Sequence, residues 1–106
     1  MHLPRLTPDE ISKELDHPAL QTGWSVRDGL LHKKFAFTTY LAGARFVAAV
    51  ADLSEKLNHH PEMMLGWKMV VLQTRTHSTD GLTSLDFELA RRVESFLNDQ
   101  GATAAV

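Results

Sequence analysis

The chain has 106 residues, no cysteine and a formal net charge of −2. Its 43% hydrophobic and 23% charged residues lie in the ordinary globular range, and an isoelectric point near 6.3 leaves no basic footprint for nucleic acid. The length predicts one domain over residues 1–106, able to bury roughly two-thirds of its unfolded surface without disulfides or thiolate chemistry. No stretch approaches the ~18 apolar residues of a membrane span. Met1-His2-Leu3-Pro4-Arg5 lacks the apolar centre of a signal peptide, so the expected compartment is the cytoplasm.

Leu6-Thr7-Pro8-Asp9-Glu10-Ile11 reads as a helix start. Thr7 caps, Pro8 takes the first turn, Glu10 closes a capping box and Leu6 can staple to Ile11. Pro18 disfavours helical geometry at His17, so this helix stops near Asp16. Trp24-Ser25-Val26 and Leu30 to Phe37 flank Asp28-Gly29, a pair suited to a tight hairpin. Alternation puts Leu31, Lys33, Phe35 and Phe37 on one face and Leu30, His32, Lys34 and Ala36 on the other.

From about Ala42 to Leu57, apolar Phe46, Val50, Leu53 and Leu57 recur at spacings of four, three and four, which stacks them on one side of a helix. It ends near Asn58 to His60, since Pro61 restricts the residue before it and Asn tolerates left-handed geometry. Pro61 to Met64 is a candidate short pairing segment. Trp67 to His77 reads as one strand with apolar residues on both faces, which points to a second subunit over the side that helices leave uncovered. Thr83 and Asp86 form the capping box of a last helix to about Asn98, with an ordered core of about residues 6–98 and a frayed tail after it. This order predicts an α+β fold with helices on one face of an antiparallel sheet.

The chemistry concentrates in Glu55-Lys56-Leu57-Asn58-His59-His60-Pro61-Glu62, followed by His77. Imidazole has an unperturbed pKa of about 6.5 and exchanges protons near neutrality, so clustered histidines suggest proton transfer or metal binding. On a helix Glu55 and His59 would face the same side, where the carboxylate fixes the ring's tautomer; a plain surface ion pair at a helix end fits the spacing equally well. Three histidines can hold a catalytic zinc. Here the spacing argues against it, because adjacent residues at a helix exit splay apart, unlike a His-x-x-x-His pair on one helical face. Trp24 and Trp67 read either as core or interface residues or as stacking walls for a flat ring.

Taken together, Glu55-Lys56-Leu57-Asn58-His59-His60-Pro61-Glu62, Trp67, Thr76-His77 and Gly81-Leu82-Thr83 with Asp86 resemble the signature of the pterin-4a-carbinolamine dehydratase family. The resemblance runs from about Thr7 to Leu97. It implies a four-stranded antiparallel sheet with three helices packed on one face, assembling as a homodimer or homotetramer. It implies loss of water from a 4a-hydroxytetrahydropterin to give the quinonoid dihydropterin, recycling the cofactor of aromatic amino acid hydroxylases, with the pterin as substrate and no metal or other cofactor.

By that resemblance His59, His60 and His77 are the catalytic residues: His60 is the acid at the departing hydroxyl, and His59 and His77 bind and accept protons. Glu55, Asn58, Pro61, Trp24, Trp67 and Asp86 are expected to bind or orient the substrate. The chain departs from the pattern at Met63, where relatives commonly have an aromatic residue, at Trp67, where many have Tyr, and at Leu85, where animal members have a basic residue. Some relatives bind a transcription factor or assist assembly of a carbon-fixing enzyme, so a non-catalytic binding module is the alternative function. A metal-dependent hydrolase is a third.

Overall fold

A computed structural model describes residues 3–99. The elements are helix α1 (Pro8–Leu15), strands β1 (Ser25–Arg27) and β2 (Leu30–Ala36), helix α2 (Tyr40–Leu57), strands β3 (Glu62–Gly66) and β4 (Met69–Thr74), and helix α3 (Ser84–Asp99). Short 3-10 turns cover Pro18–Leu20 and His77–Thr79. The strands pair antiparallel in the order β1-β2-β4-β3, and the three helices pack on one face. From residue 100 on, the expected frayed tail lies outside the described residues.

Local chemistry sets these boundaries. At the start of α1, the Thr7 hydroxyl accepts from the Glu10 N–H (3.2 Å) and the Glu10 carboxylate accepts from the Thr7 N–H (2.8 Å), the reciprocal box expected from the spacing. Asp28 and Gly29 both have positive φ, 53° and 78°, as a two-residue hairpin turn requires. Thr39 caps α2, its hydroxyl accepting from the Ala42 N–H at 3.0 Å.

The register pairs Leu31 with Thr74, Lys33 with Leu72 and Phe35 with Val70, so one face of the sheet carries the core. Leu31, Phe35, Val70 and Leu72 are fully buried against Phe46 and Val50 of α2 and Phe87, Leu89 and Val93 of α3. Lys33 falls on this buried face, as the alternation of β2 predicts. Its ammonium reaches the Glu94 carboxylate at 2.7 Å.

The strand expected over Trp67–His77 is shorter at both ends. Trp67 and Lys68 form the β3–β4 turn, with Lys68 at φ 57°, and Trp67 is 74% exposed. At the other end, Thr76 pairs with Gly81 in an isolated bridge and His77 opens a 3-10 turn. High β propensity continues past both places, but the backbone reverses there, and propensity cannot register a reversal. Among the described residues no helix is long and apolar enough to cross a membrane.

Candidate active site

The end of α2 decides where the two adjacent histidines go. Asn58 adopts a left-handed conformation (φ 50°, ψ 43°). Its N–H donates to the Glu55 carbonyl and the His59 N–H to the Ser54 carbonyl, at 3.2 and 3.0 Å. This is the paired bonding of a Schellman cap, in which a small polar residue pays little for positive φ. The cap turns the chain, so His59 points into the protein and is 7% exposed, while the His60 side chain is 57% exposed.

The expected pairing of Glu55 with His59 is therefore not what forms. Helical i,i+4 geometry stops at the cap, and Glu55 instead meets His60, Oε2 against Nε2. His59 takes a more distant partner. Its Nε2 lies 2.6 Å from Oδ1 of Asp86 and 3.0 Å from the Thr74 hydroxyl.

Asp86, in the first turn of α3, is fully buried. Besides His59, its carboxylate accepts from the Thr74 hydroxyl (2.7 Å), the Thr76 hydroxyl (2.8 Å) and the Thr83 backbone N–H (3.0 Å). Burial pushes this carboxyl up, but the bonds from His59, Thr83, Thr74 and Thr76 together outweigh it and hold Asp86 below the usual carboxylate range. A carboxylate only accepts, so Nε2 of His59 carries a proton, and in the neutral tautomer this sets, Nδ1 is the acceptor. Asp86 thus fixes the tautomer of His59.

His59, His60 and His77 line one cleft of about 510 Å³, with Asn58, Leu85 and Arg75 among its other walls. His77 reaches it from the turn after β4, where its side chain is exposed. Pro61 follows His60 and leads the chain into β3. Asp86 stands behind His59 and touches the cleft through it.

The tryptophans lie elsewhere. Trp24 is a core residue whose indole donates to Glu94 at 2.9 Å and meets Phe35 edge-on. Trp67 sits beyond the start of β4, whereas the histidines gather past its end, some 17 Å of strand away at about 3.4 Å per residue. Neither lines the histidine cleft. Among the described residues no group of three or more His, Cys, Asp or Glu side chains is placed to hold a metal ion.

The sequence reading did not foresee that Thr74 and Thr76 hold Asp86. Thr74 and Thr76 interrupt the inward row of Val70 and Leu72 with two hydroxyls. Such an interruption signals a polar partner arriving from the helix layer. It also overlooked Arg75, a wall of the cleft.

The family model of pterin 4 alpha carbinolamine dehydratase matches residues 4–96. The chain belongs to this family. A pterin-4-alpha-carbinolamine dehydratase relative from Natronomonas pharaonis is 42% identical over 91 residues, 85% of this chain and 92% of its own. A crystal structure of a transcriptional coactivator/pterin dehydratase from Brucella melitensis superimposes with a TM-score of 0.76 at 32% identity, over 87% of this chain and 97% of that one. A pterin dehydratase-like protein described as a RuBisCO assembly factor in the alpha-carboxysome matches less closely. Its TM-score is 0.56 at 26% identity, over 68% of this chain and 83% of that one. Membership in the pterin 4 alpha carbinolamine dehydratase family supports dehydratase activity in general, and the histidine cleft is where this chain concentrates groups able to move protons.

Proposed function

We propose that this single-domain protein dehydrates a 4a-hydroxytetrahydropterin to the quinonoid dihydropterin, as a hydro-lyase using histidine acid–base catalysis. In that reaction the C4a–O bond breaks as the hydroxyl takes a proton and leaves as water. N5 gives up its proton and a C4a=N5 double bond forms. One general acid and one general base suffice. The supporting observation is the convergence of His59, His60 and His77 on one cleft, with the His59 tautomer fixed by Asp86.

In this scheme His60, exposed and paired with Glu55, is the acid at the 4a-hydroxyl. His59, with Nδ1 as acceptor, and His77 bind the ring and receive the N5 proton. Asn58 and Pro61 set the direction of the histidine pair. The physiological setting proposed is cytoplasmic recycling of the pterin used by an aromatic amino acid hydroxylase. The test is stopped-flow dehydration of a 4a-hydroxytetrahydropterin generated in situ by a hydroxylase, with His60→Ala and chelator-treated samples beside the wild type. Histidine-dependent, chelator-insensitive acceleration is expected. A folded protein that gives no acceleration over the spontaneous reaction would remove this reading in favour of a binding module, the role named for the RuBisCO assembly factor relative.

The protein is further proposed to act as a homodimer or homotetramer. Met64 in the edge strand β3 and Trp67 in the turn after it expose large apolar side chains, 65% and 74%, and exposed apolar surface at a sheet edge favours a protein partner. Light scattering checks this. A monomer at high micromolar concentration would count against it.

A further inference from the structure

Arg75 follows β4 directly and lines three cavities. It borders the histidine cleft, a smaller recess shared with His60 and His77, and a second cavity of about 490 Å³ on the N-terminal side of the cleft. That second cavity also carries Arg5, Asp28, Asp80 and Gly81. Gly81 leaves room for Arg5 to lie across it, since a Cβ there would come 2.6 Å from the Arg5 Nε. Two guanidinium groups therefore border this second cavity, and one of them, Arg75, is also a wall of the histidine cleft.

Arg75 is held only loosely. Its guanidinium pairs with Asp80, whose side chain is 83% exposed, and an exposed pair of this kind contributes little and exchanges readily. A phosphate monoester carries more negative charge than a single carboxylate and can take two parallel hydrogen bonds from a guanidinium fork, whereas Asp80 engages Arg75 through one nitrogen.

We propose that the substrate of this protein is a pterin whose C6 side chain ends in a phosphate monoester, with Arg75 as the residue that selects it. The inference rests on the pterin dehydratase reading. With the ring against His59, His60 and His77, the C6 chain passes Arg75 into the second cavity, and the phosphate displaces Asp80 from Arg75 and approaches Arg5. Arg75 acts on specificity and takes no part in the proton transfers.

The test is calorimetric binding of two stable 7,8-dihydropterins, one with a neutral trihydroxypropyl side chain at C6 and one with the phosphate monoester of that side chain. The wild type is expected to bind the phosphate ester about tenfold more tightly, the scale of one charge-assisted contact, and less so as salt rises. Arg75→Met should bring the ratio close to one. Asp80→Asn should raise it, because the competing carboxylate is gone. A wild-type ratio near one, or a ratio that survives Arg75→Met, overturns the inference while leaving the dehydratase reading intact. Failure to bind either pterin, together with no acceleration in the stopped-flow assay, removes the dehydratase reading and the inference with it.

Discussion

The Nε2 of His59 and the Oδ1 of Asp86 lie 2.6 Å apart, although 27 residues separate them in the chain. The bond joins the exit of α2 to the entrance of α3 and makes the tautomer of His59 a consequence of helix packing. Asp86→Asn keeps the shape but offers an amide where the carboxylate stood, so the ring loses its fixed tautomer. We expect kcat to fall about 10²-fold, at the low end of what a proton-transfer group contributes, with KM changing less than kcat. Steady-state kinetics and a displaced pH–rate profile check this, and a purely structural role would leave the profile in place. Asp86→Ala leaves His59, Thr74, Thr76 and the Thr83 N–H without their shared acceptor. It should cost about 3 kcal/mol or more of stability, measured by urea unfolding.

The same carboxylate sets part of the acid stability. Asp86 is held below its ordinary range in the folded protein, whereas in the unfolded chain it titrates near 3.9. On acidification the unfolded state takes up the proton first. The stabilisation is therefore complete above about pH 5 and drains away as pH falls through the unfolded value toward the lower folded one. Unfolding free energies between about pH 2 and 6 should fall more steeply for the wild type than for Asp86→Asn. Parallel slopes would mean that the pair adds nothing to acid stability.

His60 and His77 differ from His59 in burial, and that separates activity from stability. Both are exposed, so alanine at either should change stability by no more than about 0.5 kcal/mol. Turnover should drop by roughly 10²- to 10⁴-fold at His60, the range for loss of a general acid. His59→Ala opens a space beside a buried carboxylate and should lower both activity and the melting temperature. A His60→Ala enzyme that keeps full turnover would remove His60 as the acid.

The secondary elements were legible in the sequence because their signals are local. Thr7 with Glu10, Asp28-Gly29, and the four-three-four spacing of Phe46 to Leu57 each specify geometry within a few residues. The histidine cluster was visible for the same reason. Its partners were not, since one left-handed residue, Asn58, decides whether Glu55 faces His59 or His60, and a residue that tolerates positive φ does not announce that it adopts it. The Asp86 network was half visible. Asp86 with Thr83 follows a capping-box spacing, but Thr74 and Thr76 join only through the register of β4 under α3. Trp67 belongs to the family signature and Trp24 to the expected substrate-binding residues, yet neither lines the cleft.

Lys33 shows what the alternation of β2 could not supply. The pattern puts this lysine on the core face, and only the packing of α3 explains how it remains there: Glu94 lies at 2.7 Å and the Thr22 hydroxyl at 2.8 Å. The Trp24 indole donates to the same Glu94 oxygen at 2.9 Å. The Lys33 ammonium also sits 4.7 Å from the centre of the Phe35 ring, so this charge is compensated on several sides. Lys33→Met strands a buried carboxylate with one indole as its remaining donor, and it should destabilise the protein by about 3–5 kcal/mol. Lys33→Met with Glu94→Leu removes both charges and should recover most of that loss, because an apolar pair of similar volume replaces a desolvated one. In a Trp67→Phe background the emission comes from Trp24 alone, so denaturant unfolding followed by fluorescence reads the effect at the cluster itself. A double variant no more stable than Lys33→Met would mean that the cluster is held by shape and by the Trp24 contact, and that charge pairing contributes little.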